Sequence, residues 1–232
     1  MNLSVSPRLL ACCGFIQPNA RVADIGCDHG YLGIYLLKNK IASSVIAADV
    51  NEGPLQSAIR NAEKFGVREQ MTFYLSDGFR NIPRDFDVAV CAGMGADTMI
   101  SILDAAPWLK DSRYGLILQC QSKTPMLRQY LSEKGWYIYK ELVIRDGKFL
   151  YTVMEVHWKP GFPLTCGECY FPPAIQENPS QEGLEYYRWV KNGLVKIING
   201  RGPTADPVIV KALQELEELK HDPDLAWLKE ER

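Results

Sequence analysis

Nowhere does the 232-residue chain reach the ~18 consecutive apolar residues of a membrane-crossing helix. Nor does it open on a basic segment followed by an apolar one, so neither a membrane span nor a secretory leader is expected. Charge of one sign is also missing. Lys and Arg total 26 against 28 Asp and Glu, a formal net charge of −2, and no overall basic field advertises a nucleic acid. A local patch would still suffice. Cys166-Gly-Glu-Cys169 has no second C-x-x-C beside it, and only His157 and the distant His221 stand in support. Structural zinc takes four ligands, so no metal is expected. The seven cysteines, several in apolar segments, fit a reducing cytoplasm. There are no internal repeats and no low-complexity tracts.

What is present alternates. After a helix start at Ser4, Ser6 and Pro7, "RVADIG" reads as a strand, "GYLGIYLLKN" as a helix and "SSVIAADV" as a strand. "NEGPLQSAIRNAEKFG" is helical, with Pro54 early and Gly66 at its natural stop. "MTFYLSDG", "DFDVAVCAGMG" and "YGLILQCQ" supply further strands, with "ADTMISILDAAPWL" and "TPMLRQYLSEKG" as helices. Two last strands, "WYIYKELVIR" and "FLYTVMEVHW", flank a turn at Asp146-Gly147. The order predicts an α/β fold: a doubly wound, mostly parallel sheet closed by an antiparallel hairpin at or near its edge. This is the order of class I methyltransferases rather than of a full dinucleotide fold. Residues 159–183, rich in Pro and Gly, read as a linker or wrapped loop between a domain at 1–158 and a helical one at 184–232. In the latter, apolar stripes at Leu184, Tyr187, Val190, Leu194, Ile197 and at Val208, Ile209, Leu213, Leu216, Leu219 predict an antiparallel helical hairpin. Such a hairpin can satisfy itself, and a monomer is expected.

The turn after the first strand, "VADIGCDHGYL" from Val22 to Leu32, is the first place to look for a ligand, because open α/β sheets bind beyond the carboxyl ends of their strands. A dinucleotide turn would have glycine at position 28, and this chain has Asp28 followed by His29. A carboxylate about 4 Å from a pyrophosphate costs roughly 4 kcal/mol at an effective dielectric near 20. Toward the sulfonium and ammonium of S-adenosylmethionine the same carboxylate is attractive. Asp49, at the end of the second strand, is placed to accept from ribose hydroxyls, and Asp77, before Gly78 at the end of the third, from the adenine amino group. Singly, either is an ordinary turn residue. Together the acids and glycines at successive strand ends point to a nucleoside cofactor. The loop "CAGMGAD", Cys91–Asp97, allows close backbone approach, but lacks the Asn/Asp-Pro-Pro-aromatic clamp common in enzymes that methylate exocyclic amino groups.

"ADIGCDHGYL", "DVNEGPL", "SDGF", "AGMGAD" and "LILQCQ" together resemble the bacterial tRNA adenine-22 N1-methyltransferase family, over roughly residues 4–158 and more loosely at "YYRWVKNGL". The resemblance implies a Rossmann-like domain with a coiled-coil-like helical appendage, S-adenosylmethionine as cofactor, and methylation of an adenosine in the tRNA D-arm. The cofactor set is then Asp24, Gly26, Asp28, Asp49, Val50, Asp77, Gly78, Ala92, Gly93 and Met94. Asp28, His29 and Tyr31 would stand at the reaction centre; capping of the following helix is the structural alternative for His29. Three departures stand out: Ala96 where glycine is common, Asp49 where many members have Glu, and Cys120-Gln121 in place of a Pro-Asn pair near the expected target pocket.

Phosphate contacts need cations. Residues 110–148 hold eight Lys/Arg against four Asp/Glu, and the helix carrying Arg188, Lys191 and Lys196 interleaves them with Tyr186, Tyr187 and Trp189. Lys123, Arg128, Arg188, Lys191 and Lys196 are the expected tRNA contacts; a solvated helix face with its aromatics in the core is the alternative. From the residues alone, a methyltransferase acting on a small molecule or protein, and a non-catalytic RNA-binding relative, stay open.

Overall fold

The computed structural model describes residue 3 and residues 5–229; Ser4, expected to help open the first helix, lies outside them. The chain opens with α1 (Pro7–Cys13) and then alternates: β1 (Ala20–Ile25), α2 (Tyr31–Lys38), β2 (Ala42–Asp49), α3 (Glu52–Lys64), β3 (Met71–Leu75) and β4 (Val88–Met94). It continues with α4 (Ala96–Asp104), β5 (Gly115–Cys120), α5 (Thr124–Glu133), β6 (Trp136–Asp146) and β7 (Phe149–Trp158). The seven strands form one sheet in the order β3-β2-β1-β4-β5-β7-β6. All neighbours from β3 to β5 pair in parallel, and β7 lies antiparallel between β5 and β6. The expected hairpin is therefore present, with its second strand inserted inside the edge.

Central strands covered by helices on both faces read as continuous apolar runs, and β5, Gly-Leu-Ile-Leu-Gln-Cys, is buried at every position. Alternation along β1 sends Val22 to one cluster, with Ile34 and Leu36 of α2 and Ala58 of α3, and Ala23 and Ile25 to the other, with Met99 of α4 and Leu131 of α5. Helix α2 lies close on the sheet: a Cβ at Gly33 would sit 2.9 Å from Val45 and from Met71.

The segment expected as a linker or wrapped loop carries two short helices. It forms α6 (Cys166–Tyr170), opened by a Thr165/Glu168 capping box, and α7 (Pro173–Gln176). Between them Phe171 is fully buried against Tyr187, ring centroids 5.3 Å apart. The hairpin follows as α8 (Gln181–Arg201) and α9 (Pro207–Glu218). Tyr187 donates to Leu216 O at 2.7 Å and Lys191 pairs with Glu217 at 3.6 Å, so the first half of α8 meets the far end of α9, as an antiparallel pair must. Among the described residues no helix is long and apolar enough to cross a membrane.

Arg128 corrects its sequence reading. It is buried in α5 and out of reach of any RNA. Its guanidinium grips Glu141 of β6 (Nη2–Oε1 2.6 Å, Nε–Oε2 3.2 Å) and donates to Cys169 O at 2.9 Å, Tyr170 O at 3.1 Å and, more weakly, the Tyr186 hydroxyl. Burial works against its charge, but Glu141 and Tyr186 together more than offset this and hold the group above the ordinary arginine range. One side chain thus ties α5, β6, α6 and α8 together. Arg128→Ala strands Glu141 in the interior and is expected to lower the unfolding free energy by about 3–5 kcal/mol in guanidinium titrations. An Arg128→Met/Glu141→Leu pair, which leaves no unpaired buried charge, should recover much of that loss.

Candidate active site

Strand order reverses between β1 and β4, and the carboxyl end of β1 opens onto that switch point. The turn after β1 is built from left-handed residues: Gly26 (φ 73°), Asp28 (φ 51°) and Gly30 (φ 72°). A Cβ at Gly30 would fall 2.9 Å from Ala58 Cβ, so that position needs glycine for space as well as for φ, whereas at Gly26 the neighbour is the movable Met94 methyl and φ is the constraint. Asp28 has no such excuse, although Asp tolerates this region better than most residues. Gly30 occupies the N-cap position of α2 with no side-chain cap, which removes the capping alternative for His29.

Asp49 holds the turn from below. Its Oδ2 accepts from the Asp28 amide at 3.0 Å and its Oδ1 from the Asn51 amide at 2.9 Å. Above it the Asp28 carboxylate stands in solvent, 3.6 Å from His29 Nε2, and the His29 and Tyr31 rings lie 5.9 Å apart. Across the switch point, the fully buried Gln119 accepts from the Gly93 amide at 3.0 Å and fixes the loop after β4. Gly93 is left-handed (φ 80°).

These elements enclose a cleft of about 310 Å³ walled by Asp24, Gly26, Asp28, His29, Tyr31 and Ala92–Met94. The cleft brings most of the expected residues together. Asp49, Val50, Asp77 and Gly78 stand outside its wall, along the carboxyl ends of β2 and β3, where Asp77 pairs with Arg80 at 3.2 Å. Arg8 and Leu9 of α1 also line the cleft and were not foreseen, because nothing local marks α1 as part of a site. Gln121 lines it too; the departure at Cys120-Gln121 was the only sequence signal for it.

Two buried polar atoms in this wall, Asp24 Oδ2 and Arg8 Nε, have no hydrogen-bond partner among the described residues. Burial pushes the Asp24 carboxyl up to about 7; the Gly33 backbone amide offsets part of this, and the Asp49 charge adds to it. Unfolded, the same group ionises near 3.8. The free protein therefore holds the proton more tightly than the unfolded chain, and loses that stability as pH rises toward 7. A bound cation reverses the sense of the site, because it favours the carboxylate.

The expected RNA contacts are only partly available. Lys123 pairs with Asp97 at 2.8 Å, and Lys191 with Glu217. Arg188 is also engaged within the protein. Lys196 is exposed. Of the interleaved aromatics Tyr186 and Tyr187 belong to the helical core, and only Trp189, 66% exposed, faces solvent. No three His, Cys, Asp or Glu side chains converge to hold a metal ion among the described residues.

A family model described as a methyltransferase domain matches residues 5–154. The tRNA (adenine(22)-N(1))-methyltransferase of Bacillus subtilis is 31% identical over 153 residues, 66% of this chain and 64% of that protein. The chain thus spans a little under two thirds of the curated relatives it matches. Among solved structures, the B. subtilis m1A22 tRNA methyltransferase TrmK superposes with a TM-score of 0.78 at 26% identity, over 98% of each chain. M. capricolum TrmK, in complex with S-adenosylhomocysteine, superposes at 0.77 and 25% identity, over 92% of this chain and 96% of that one. The chain belongs to the methyltransferase-domain family, with the tRNA (adenine-22-N1)-methyltransferases as its relatives.

Proposed function

We propose that the chain methylates N1 of an adenosine in tRNA, position 22 of the D-arm, using S-adenosylmethionine. The observation that carries this reading is the pair of unpartnered buried atoms in the cleft wall. Asp24 Oδ2 is an acceptor that becomes anionic beside a bound cation, and Arg8, whose Nη1 pairs with Asp146 at 3.6 Å, keeps its Nε as a donor, the complement of an amino acid's ammonium and carboxylate. Asp49, Val50, Asp77 and Gly78 continue the rim on the side where a nucleoside would extend. A pyrophosphate would meet the Asp28 carboxylate instead, and Asp24 beyond it would offer no compensating positive charge.

S-adenosylmethionine, when bound, supplies an electrophilic methyl on a sulfonium. N1 of adenine brings its own lone pair, so the residues here serve chiefly to position and to stabilise charge. Asp28 stands in solvent on a rigid left-handed turn, held by Asp49 through its backbone. Its carboxylate is suited to accept from the adenine amino group and to face the positive charge that grows on the methylated purine. His29 and Tyr31 flank it and would hold the base plane. A base in a paired arm must first be unstacked, at about a few kcal/mol. The reading extends to a monomer acting in the cytoplasm, with the helical core closed against Val143 and Leu150 of the chain's own sheet and seven free cysteines in the chain.

Incubation with labelled S-adenosylmethionine and an unmodified tRNA transcript should place label in N1-methyladenosine on nucleoside analysis; label in another nucleoside, or none, rejects the reading. Asp28→Asn keeps a residue that tolerates the left-handed turn. It is expected to lower kcat about 10²-fold with cofactor affinity retained; lost affinity with an unchanged kcat would assign Asp28 to cofactor binding alone. Cofactor binding between pH 6 and 7 should release a proton from Asp24, weakening as pH falls, and Asp24→Asn should flatten that dependence in calorimetry run in buffers of different ionisation enthalpy.

A further inference from the structure

A second cleft, about 480 Å³, opens between the loop after β5, strand β7 and helix α8. It shares Gln121 with the cleft at the β1 turn, so the two adjoin along one wall. Its chemistry differs from its neighbour's. Where the first has Asp24 and Asp28 in its wall beside Arg8, the second has Lys123 and Lys196 in its lining and no Asp or Glu at all. Lys123 is engaged by Asp97 from outside the cleft, whereas Lys196 has no ion-pair partner among the described residues. The rest is aromatic and apolar: Tyr151, Tyr170, Tyr186, Trp189 and Ile197.

Helix α8 presents this face at helical spacing. Trp189, Gly193, Lys196 and Ile197 lie at i, i+4, i+7 and i+8, with Trp189 66% and Ile197 40% exposed. An exposed indole, seated on the Tyr186 ring at 5.8 Å and two turns from an exposed lysine on the same cleft, is poorly explained as core. Gly193 sits at the centre, where a Cβ would meet nothing within 4 Å. Glycine in a helix interior costs about 1 kcal/mol relative to alanine, and here no close contact requires it. It leaves room.

We propose that this cleft receives an unstacked nucleotide next to the target adenosine, with its base on the Trp189 ring and its phosphate at Lys196. The proposal rests on the tRNA reading above and deepens it. A flat π-face with one cation and no carboxylate fits a nucleotide, since every base can stack and every phosphate is anionic. Shared Gln121 places the occupant one step along the strand from the base beside Asp28. An adenosine drawn from a paired arm unstacks from its neighbours, and a second platform recovers stacking for one of them.

The test is binding of a fluorescently labelled, unmodified tRNA transcript to the full chain, read by anisotropy and so independent of methyl transfer. Gly193→Phe fills the cleft from a helix that accepts a side chain there, and its thermal midpoint should be no lower than that of the parent. Its affinity should fall about tenfold or more, as should that of Trp189→Ala, and Lys196→Ala should lower the salt slope by about one. Affinity of Gly193→Phe and Trp189→Ala equal to the parent's, or a parent that does not bind tRNA, overturns the proposal. Cleft-dependent binding without transfer of methyl to tRNA would support the cleft while rejecting the activity proposed above.

Discussion

The molecule is organised around one buried charge. The Arg128 guanidinium, reached only from α5, is bidentate on Glu141 of the edge strand and satisfies two carbonyls at the end of α6 and the hydroxyl of Tyr186 on α8. Burying an ion pair is costly, and it is tolerated only when every donor finds a partner. Meeting that condition here requires the sheet hairpin, the Pro-rich segment and the helical pair to assemble together. A consequence follows for function: Tyr170 and Tyr186, both in this network, also line the cleft beside Gln121, so the pair that joins sheet and helices also shapes the second cleft.

The two adjoining clefts divide the electrostatic work. Three carboxylates gather at the β1–β2 end: Asp24 buried, Asp49 committed to backbone amides and Asp28 in solvent. In a site of reduced dielectric such a group is unfavourable to phosphate and favourable to a sulfonium. Burial pushes the Asp24 carboxyl up to about 7, and a cationic ligand would favour its ionised form. The second cleft has the opposite sign and an exposed indole. Cation chemistry and anion chemistry thus meet at Gln121.

How legible this was depended on how local each feature is. Strands such as "VADI" and "LILQC" declare themselves by apolar runs between glycines, and the Asp146-Gly147 turn by its own dipeptide, so the α/β order was readable. The acids at the strand ends were readable for the same reason. The antiparallel α8/α9 pair was also readable, from its apolar stripes; what was not readable was set by contacts between distant elements. Proline and glycine counts read 159–183 as a linker or wrapped loop but could not show that Phe171 is buried there against Tyr187 of α8, 16 residues away in sequence. Charge counting made Arg128 an RNA contact, although its environment comes from β6 and α6. Arg8 enters the site from α1, and no spacing rule links position 8 to position 24.

The central claim is that the carboxylates around the β1 turn select a cationic nucleoside over a pyrophosphate. Calorimetric titration of the same protein with S-adenosylmethionine and with NAD at pH 8, where Asp24 is ionised by its pKa of about 7, tests it most directly. One-to-one binding of S-adenosylmethionine and no measurable binding of NAD are expected. NAD bound as tightly as S-adenosylmethionine would contradict the claim.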